Sequence, residues 1–485
     1  MKGSDIFFQK FNNRFFKSGF WGAITAFSFA PFNIFPIFLA TFAGLFARIR
    51  DGGKSSVGEA FCFFFCLHAA CLYWVIYPLT FNMARHWVLI PFTALIPAFL
   101  SAFLILPIVC MRRCLKKVVP YAMPFVFALL FTFTMWFYGD VFPGFPWILP
   151  GYIWCCHEIF LQTLSVYGIY GLSFATLLIA GFLGLSFGYY ESNDSTEFRS
   201  SAAIAAFLLL FMTLFGHFRL KNHPTEFTNK KIKVVQCNIN QRHKNDPYFA
   251  FLNLKEHLAR SSHESPLDFI IWPEASVPYL YREDFRQLND RLKSILKCGE
   301  YLAAGAVRRD TATGKIHNSV IVLDHDGKNI ANHDKFRLLP FGEYIPFREY
   351  MPFQSIAGHI GDFDAGERRR IVELGGLKII FAICYEIAFP DDFSGAFSLG
   401  GEGGWKEADL IVNVTNDGWF GFTTEPFQHL QISRARAVET GLPLVRATNY
   451  GISAVFDPCG REIARIPIDQ TGVIEINVPK KIEKL

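Results

Sequence analysis

In the second half of this chain a cysteine, a lysine and three glutamates stand at the ends of apolar runs or beside polar turns. Ile379-Ile380-Phe381-Ala382-Ile383 leads into Cys384-Tyr385-Glu386, so an apolar strand delivers a lone thiol into a turn. Ile270-Ile271-Trp272-Pro273 delivers Glu274 in the same way, and Lys335 precedes a loop shaped by Pro340 and Gly342 that carries Glu343. Taken singly these residues have plain explanations. A thiol at a strand end is commonly a small buried hydrophobe, and a Glu or Lys beside a loop is commonly solvated charge. Taken together they supply the parts of an acyl-transfer site. A thiol with a pKa of about 8.5 attacks slowly at neutral pH until its proton is removed. A carboxylate within hydrogen-bond reach can remove it. A fixed ammonium stabilises the oxyanion of a tetrahedral intermediate and favours the thiolate. Glu274, Lys335 and Cys384 are therefore the candidate base, oxyanion partner and nucleophile, and the expected chemistry runs through a Cys-acyl intermediate to a second nucleophile.

Three further residues are candidates for support. Glu343 is placed to hold Lys335 or the acceptor nucleophile, Glu386 to line the same pocket, and Asn318 either to donate to the site or to brace a strand. Arg434, Arg436 and Glu439 share a helical segment at spacings that suit ion pairs. The 11 Cys show no CxxC or Cys/His spacing that suits zinc, so neither a metal nor a cofactor is expected.

The elements that must hold these residues begin near Lys230. Strands are expected at 232–238, 269–272, 301–307, 319–323, 377–382, 410–414, 444–448 and 454–457, and helices at 248–261, 283–297 and 425–440. Strands interleaved with helices imply an α/β domain over residues 229–481.

The first half has a different texture. Hydrophobic residues make up 51% of the 485-residue chain and charged residues only 18%, and most of its 55 Phe lie before residue 220. Apolar mass concentrated in this way points to lipid as the solvent. Seven apolar stretches are readable, at 19–30, 32–47, 57–77, 88–110, 121–138, 159–189 and 202–218, so residues 1–220 are expected to form a helical membrane domain of about seven spans. Lys and Arg cluster before the first stretch, between the second and third, and between the fourth and fifth. The positive-inside rule then puts the N-terminus in the cytoplasm, and seven spans would put the α/β domain on the outer face. A net charge of +5 over this length does not suggest nucleic acid.

The whole chain resembles the apolipoprotein N-acyltransferases, the membrane branch of the nitrilase superfamily. Phe27-Ser28-Phe29-Ala30-Pro31-Phe32 and Gly144-Phe145-Pro146-Trp147 resemble segments of their membrane part. Trp272-Pro273-Glu274, Pro340-Phe341-Gly342-Glu343, Cys384-Tyr385-Glu386, Asn416-Asp417-Gly418-Trp419-Phe420-Gly421 and Thr448-Asn449-Tyr450-Gly451 resemble motifs of their catalytic domain. The resemblance implies an α-β-β-α sandwich after the helices, with Glu274, Lys335 and Cys384 as the triad and Glu343, Tyr385, Glu386 and Asn318 in support. It implies a phospholipid acyl donor, with the sn-1 chain of phosphatidylethanolamine expected, and a diacylglyceryl-apolipoprotein acceptor at the bacterial inner membrane. A monomer with its catalytic domain in the periplasm is expected. Two other readings stay open on the residues alone: a membrane-tethered hydrolase that uses water, and an inactive lipopeptide-binding protein. The apolar residues after the lysine (Phe341, Tyr344, Phe347, Met351 and Phe353) suit either a lid that dips into lipid or a cap on the domain core. The sequence departs from the family at Gln241-Arg242-His243-Lys244-Asn245, where a functional Trp is expected, and at Met135–Asp140, where an acid and an Arg are expected.

Overall fold

The computed structural model describes residues 2–52, 56–114, 118–141, 144–191, 194–244, 246–350, 362–367, 371–394 and 407–483. The chain divides into two compact units, Met1–Asn222 and His223–Leu485.

The first unit is helical. Its longer helices are α1 (Lys2–Thr25), α2 (Phe35–Arg50), α3 (Ser56–Cys71), α4 (Met123–Trp136), α5 (Leu164–Glu191) and α6 (Ser195–Asn222). Large apolar side chains on its surface, Phe133 and Phe207 among them, are more than half exposed, which in water would be costly and in lipid is favourable. Glycines let the helices approach closely: a Cβ on Gly22 would sit 2.0 Å from the Phe63 carbonyl oxygen, and one on Gly184 would sit 2.4 Å from that of Ala43.

The expected seven spans are not reproduced. Among the described residues four helices are long and apolar enough to cross a membrane, at Trp87–Arg113, Pro120–Val141, Leu164–Tyr190 and Ser195–Asn222. A fifth is counted if Ser56–Cys71 and Tyr73–Asn82, bent by 48°, form one broken span. The apolar stretches at 19–30 and 32–47 fall largely on α1 and α2. The first half of α1 is polar, and the 16 residues of α2 extend only about 24 Å, short of a ~30 Å hydrocarbon core.

The second unit is a two-sheet sandwich flanked by helices. Its strands are β1 (Phe227–Gln236), β2 (Phe269–Ile271), β3 (Val277–Tyr281), β4 (Tyr301–Arg309), β5 (Ile316–Leu323), β6 (Asn329–Asp334), β7 (Ile371–Leu374), β8 (Leu377–Ile383), β9 (Leu410–Thr415), β10 (Leu444–Thr448), β11 (Ser453–Phe456), β12 (Glu462–Ile466) and β13 (Gly472–Pro479). One sheet runs β13-β1-β2-β4-β5-β6 with β3 beside β4, and the other runs β12-β11-β10-β9-β8-β7. The period of two along the central strands builds two cores at once. Ile232, Val234, Phe269, Ile271, Val320 and Val322 point between the sheets, where they meet Ile379, Phe381, Leu410, Val412 and Val445. Their neighbours Val235, Ile270, Trp272, Ile321 and Leu323 point the other way. There they pack on Leu254 of α7 (Pro247–Ser261) and on Leu288 and Leu292 of α8 (Arg286–Lys293). The outer face of the second sheet is covered by α9 (Glu425–Thr440). The result is an α-β-β-α sandwich.

Candidate active site

The strand ends that carried the chemistry in the sequence come together at one edge of the sandwich. Cys384 follows the last residue of β8 and opens a short 3-10 turn, Cys384–Ala388. Its φ of +49° lies in the left-handed region, a strained position for any residue with a Cβ. Ala275, next to Glu274, has φ +46°. Gly305 on β4 makes room for that bend: a Cβ there would lie 2.3 Å from the Pro273 oxygen and 2.5 Å from the Glu274 Cα. Lys335 follows β6, and its backbone N–H donates to the Asn318 carbonyl at 2.8 Å, as the β5–β6 pairing continues.

A chain of polar contacts joins these ends. Asn318 Nδ2 donates to Glu274 Oε1 at 2.7 Å and to Glu343 Oε1 at 3.0 Å. Lys335 Nζ donates to Glu343 at 2.9 Å, and the Leu339 N–H donates to Glu343 Oε2 at 2.8 Å. Asn318 therefore ties the two carboxylates together, and Glu343 holds the ammonium. Glu274, Asn318, Lys335 and Glu343 are all buried, so these bonds act in a low dielectric.

Burial raises the Glu274 carboxyl above its ordinary range, and Glu343 adds to the rise against the opposing pull of Lys335. Burial alone would lower Lys335; the charges of Glu343, Cys384 and Glu274 more than offset it and hold the ammonium well above the lysine range. Burial, reinforced by Glu274, raises the Cys384 thiol, while Lys335 and the Thr415 hydroxyl favour its thiolate. At neutral pH the thiol keeps its proton at rest, the neighbouring carboxylate is a better base than usual, and the lysine is charged throughout.

The structure differs from the sequence expectation at Glu386. It was expected to line the pocket; it is fully buried and acts as a staple. Oε1 accepts from the Phe336 N–H at 2.9 Å, and Oε2 accepts from the Ile383 N–H at 2.8 Å and lies 3.1 Å from His333 Nε2. One carboxylate thus pins the loop after Lys335 to the strand end before Cys384. Tyr385 is also buried, edge-on to Phe389 with 5.0 Å between ring centroids. Arg436 and Glu439 form the expected ion pair, whereas Arg434 donates to the Gly460 carbonyl at 2.6 Å. Of the apolar residues after the lysine, Phe341 and Phe347 are exposed and Tyr344 is half-buried; Met351 and Phe353 lie outside the described residues.

Sequence reasoning missed two groups. Lys244, in a turn of helix after β1, is buried with Nζ 2.7 Å from the Glu274 carbonyl oxygen, which it binds as donor. Burial lowers it to about 8 against the pull of Glu274 and Cys384. The segment 241–245 stood out in the sequence only for lacking a Trp, and nothing in it marked Lys244. The second group lies beneath Cys384, where Arg446 of β10 grips Asp417 through Nη2 at 2.8 and 3.0 Å and His429 of α9 contacts both Asp417 and Glu425. Its sequence signals were Asp417 within the Asn416–Gly421 segment and the spacing of Glu425 and His429 by four residues on a helix. Ligand atoms of Asp417, Glu425 and His429 lie within 4.8 Å of one another, close enough for a cation, but the Arg446 guanidinium already engages both Asp417 oxygens.

Residues 231–484 match the carbon-nitrogen hydrolase family, and residues 21–182 match the apolipoprotein N-acyltransferase N-terminal domain. The apolipoprotein N-acyltransferase of Rickettsia bellii is 32% identical over 95% of this chain and 91% of its own length. That of Bradyrhizobium diazoefficiens is 32% identical over 95% of this chain and 88% of its own length. Among solved structures, an amidase from Nesterenkonia covers 52% of this chain and 92% of its own, at 20% identity and a TM-score of 0.38. Relatives that extend across both units show that the chain is a membrane protein belonging to the apolipoprotein N-acyltransferase family.

Proposed function

We propose that this protein moves an acyl chain from a membrane phospholipid to the N-terminal amine of a diacylglyceryl-cysteine on an apolipoprotein, through a thioester on Cys384. The observation that carries the reading is the cluster of a protonated thiol on a strained turn, a carboxylate of raised pKa and a fixed ammonium, in a chain of this family.

In the first half-reaction Glu274 takes the Cys384 proton as Sγ attacks the carbonyl carbon of the donor ester. The tetrahedral oxyanion forms beside the Lys335 ammonium. As it collapses the ester C–O bond breaks, the lysophospholipid oxygen takes the proton from Glu274, and the thioester remains. In the second, Glu274 takes a proton from the α-amine of the acceptor, nitrogen attacks the thioester, and the Cys384 sulfur leaves and is reprotonated. Each half-cycle returns the carboxylate to its starting state. Asn318 and Glu343 hold base and ammonium in register, and Tyr385 and Glu386 fix the turn that carries the nucleophile.

Both substrates carry acyl chains that cost about 0.8 kcal/mol per CH₂ to withdraw from lipid, which favours a catalytic domain carried on membrane helices. The sn-1 chain of phosphatidylethanolamine is the proposed donor, and the periplasmic face of the inner membrane the proposed location. Exposed Phe341 and Phe347 beside the lysine loop suit contact with the bilayer.

The test is to incubate purified protein with phosphatidylethanolamine labelled in its sn-1 chain, without acceptor. Hydroxylamine-labile label on the protein, absent from Cys384→Ala, is the expected result, and a diacylglyceryl lipopeptide should then carry the label away on its amine. Free labelled fatty acid in place of lipopeptide product would point to a hydrolase. Label persisting in Cys384→Ala would remove the cysteine from the mechanism.

A further inference from the structure

The strained Cys384 turn has a second support, on the side away from the Glu274–Lys335 cluster. The Cys384 carbonyl oxygen lies 3.2 Å from His429 Nε2. His429 is fully buried in α9, and its other ring nitrogen, Nδ1, lies 3.1 Å from Asp417 Oδ1 and 3.3 Å from Glu425 Oε1. A carbonyl oxygen can only accept, so Nε2 carries a hydrogen. Asp417 accepts the Arg446 guanidinium and is held below its ordinary range: burial opposes this, and Arg446 and His429 outweigh it. An ionised Asp417 also only accepts, so Nδ1 carries a hydrogen too. With hydrogens on both nitrogens the ring is an imidazolium. Moving the proton to Glu425 would satisfy Nδ1 but set its lone pair against Asp417.

Glu425 is the weaker of the two carboxylate partners: burial and Asp417 raise it to about 7 against the pull of His429 and Arg446. Both its oxygens are buried and have no other hydrogen-bond partner among the described residues, so the charge it carries is tolerable only beside a cation.

We propose that His429 is a positioning residue for the nucleophile: held as an imidazolium between Asp417 and Glu425, it clamps the Cys384 carbonyl and sets a positive charge under the thiol. This rests on Cys384 being the nucleophile. It adds a second source of thiolate stabilisation to Lys335 and accounts for a histidine that no step of acyl transfer uses. The groups that act on the thiol are Glu274 and Asp417, which disfavour the thiolate, and Lys335, Lys244 and the Thr415 hydroxyl, which favour it. Those that face His429 are Asp417, Glu425 and Arg446. Protonation of the imidazole is favoured by the two carboxylates and opposed by burial and Arg446, with the net direction upward from an ordinary histidine.

The test measures alkylation of Cys384 by iodoacetamide in the full-length, detergent-solubilised protein, quantified on the peptide that carries Cys384, from pH 5.5 to 9.5. This reads the thiol without donor lipid or acceptor, so a failure here is distinct from a wrong substrate assignment. His429→Gln keeps a neutral donor and removes the charge. Its alkylation rate at pH 7 should fall about tenfold, with the pH profile displaced upward by about one unit, while the melting transition persists. A profile that overlays the wild type would overturn the proposal and leave His429 a packing residue. If His429→Gln does not fold, Glu425→Gln weakens the imidazolium and should displace the profile in the same direction by about threefold in rate; an unchanged profile there overturns the proposal as well.

Discussion

The clusters on the two sides of Cys384 are built from the same kinds of group but balanced differently. Around Lys335, two carboxylates share one ammonium, and the bridge between them is the neutral Asn318 amide. Lys244 is a second cation within reach, yet it binds the Glu274 backbone carbonyl rather than a carboxylate, and burial leaves its charge conditional near pH 8. Around His429, two carboxylates meet the Arg446 guanidinium and an imidazole that bridges them. Burial, with Glu343 beside it, makes Glu274 a better proton acceptor; around His429 the paired charges make a rigid floor. Enclosed charge in one domain thus serves reactivity at one cluster and geometry at the other.

The sharpest way to break this contrast is Lys335→Met, which strips the first cluster of its ammonium. Thioester formation should fall by roughly 10³-fold, the scale of losing an oxyanion donor together with the fixed charge beside it. Retention of more than a tenth of wild-type acylation would mean that the Lys335 ammonium is not what stabilises the oxyanion. Gly305→Ala tests whether geometry, with every charge kept, is enough. The new Cβ would press on the Pro273 oxygen and Glu274 Cα, and a base displaced by a fraction of an ångström should lose about 10- to 100-fold in acylation rate. An unaffected rate would show that the Glu274 bend tolerates movement. The smallest effect concerns Lys244. Its folded pKa of about 8 lies below the ordinary lysine value of 10.5. Between these values the unfolded chain binds more protons, so stability must rise with pH across that window. The gain is up to about 3 kcal/mol when complete. Thermal melts of the full-length protein from pH 7.5 to 10.5 should show this rise relative to Lys244→Met; parallel curves would mean that Lys244 titrates in the folded protein as it does in the unfolded chain.

How far the fold was legible follows its layers. The expected strands at 269–272, 301–307, 377–382, 410–414 and 444–448 are central ones, buried on both faces, and such strands read as unbroken apolar runs. The unanticipated strands β6, β7, β12 and β13 are the four sheet edges. One flank of each has no strand partner among the described residues, and sequences such as Asn329–Asp334 and Glu462–Ile466 mix polar and apolar residues without a clear signal. The remaining one, β3, pairs irregularly beside β4. The helix expected at 425–440 is reproduced to the residue, with Gly441 at φ +72° ending it. In the membrane half, composition read correctly as lipid-facing helix, but a span count needs length and continuity, which α2 and the bent Ser56–Asn82 segment do not offer.

The sequence by itself determined the chemistry on offer. Glu274 and Cys384 each follow an apolar run and Lys335 precedes a loop shaped by Pro and Gly, and strand ends are where a sandwich can present a reactive group while its core stays closed. It determined the two-part organisation as well, because lipid and water demand opposite surface compositions. Only the tertiary structure decided what each polar residue does. Glu386, two residues from Cys384, turned inward to join two loops, while Lys244 and His429, far away in sequence, arrived against Glu274 and Cys384. The physical reason is that a buried charge is tolerated only where specific partners meet it, and those partners come from different strands and helices whose meeting is set by the packing of the two sheets.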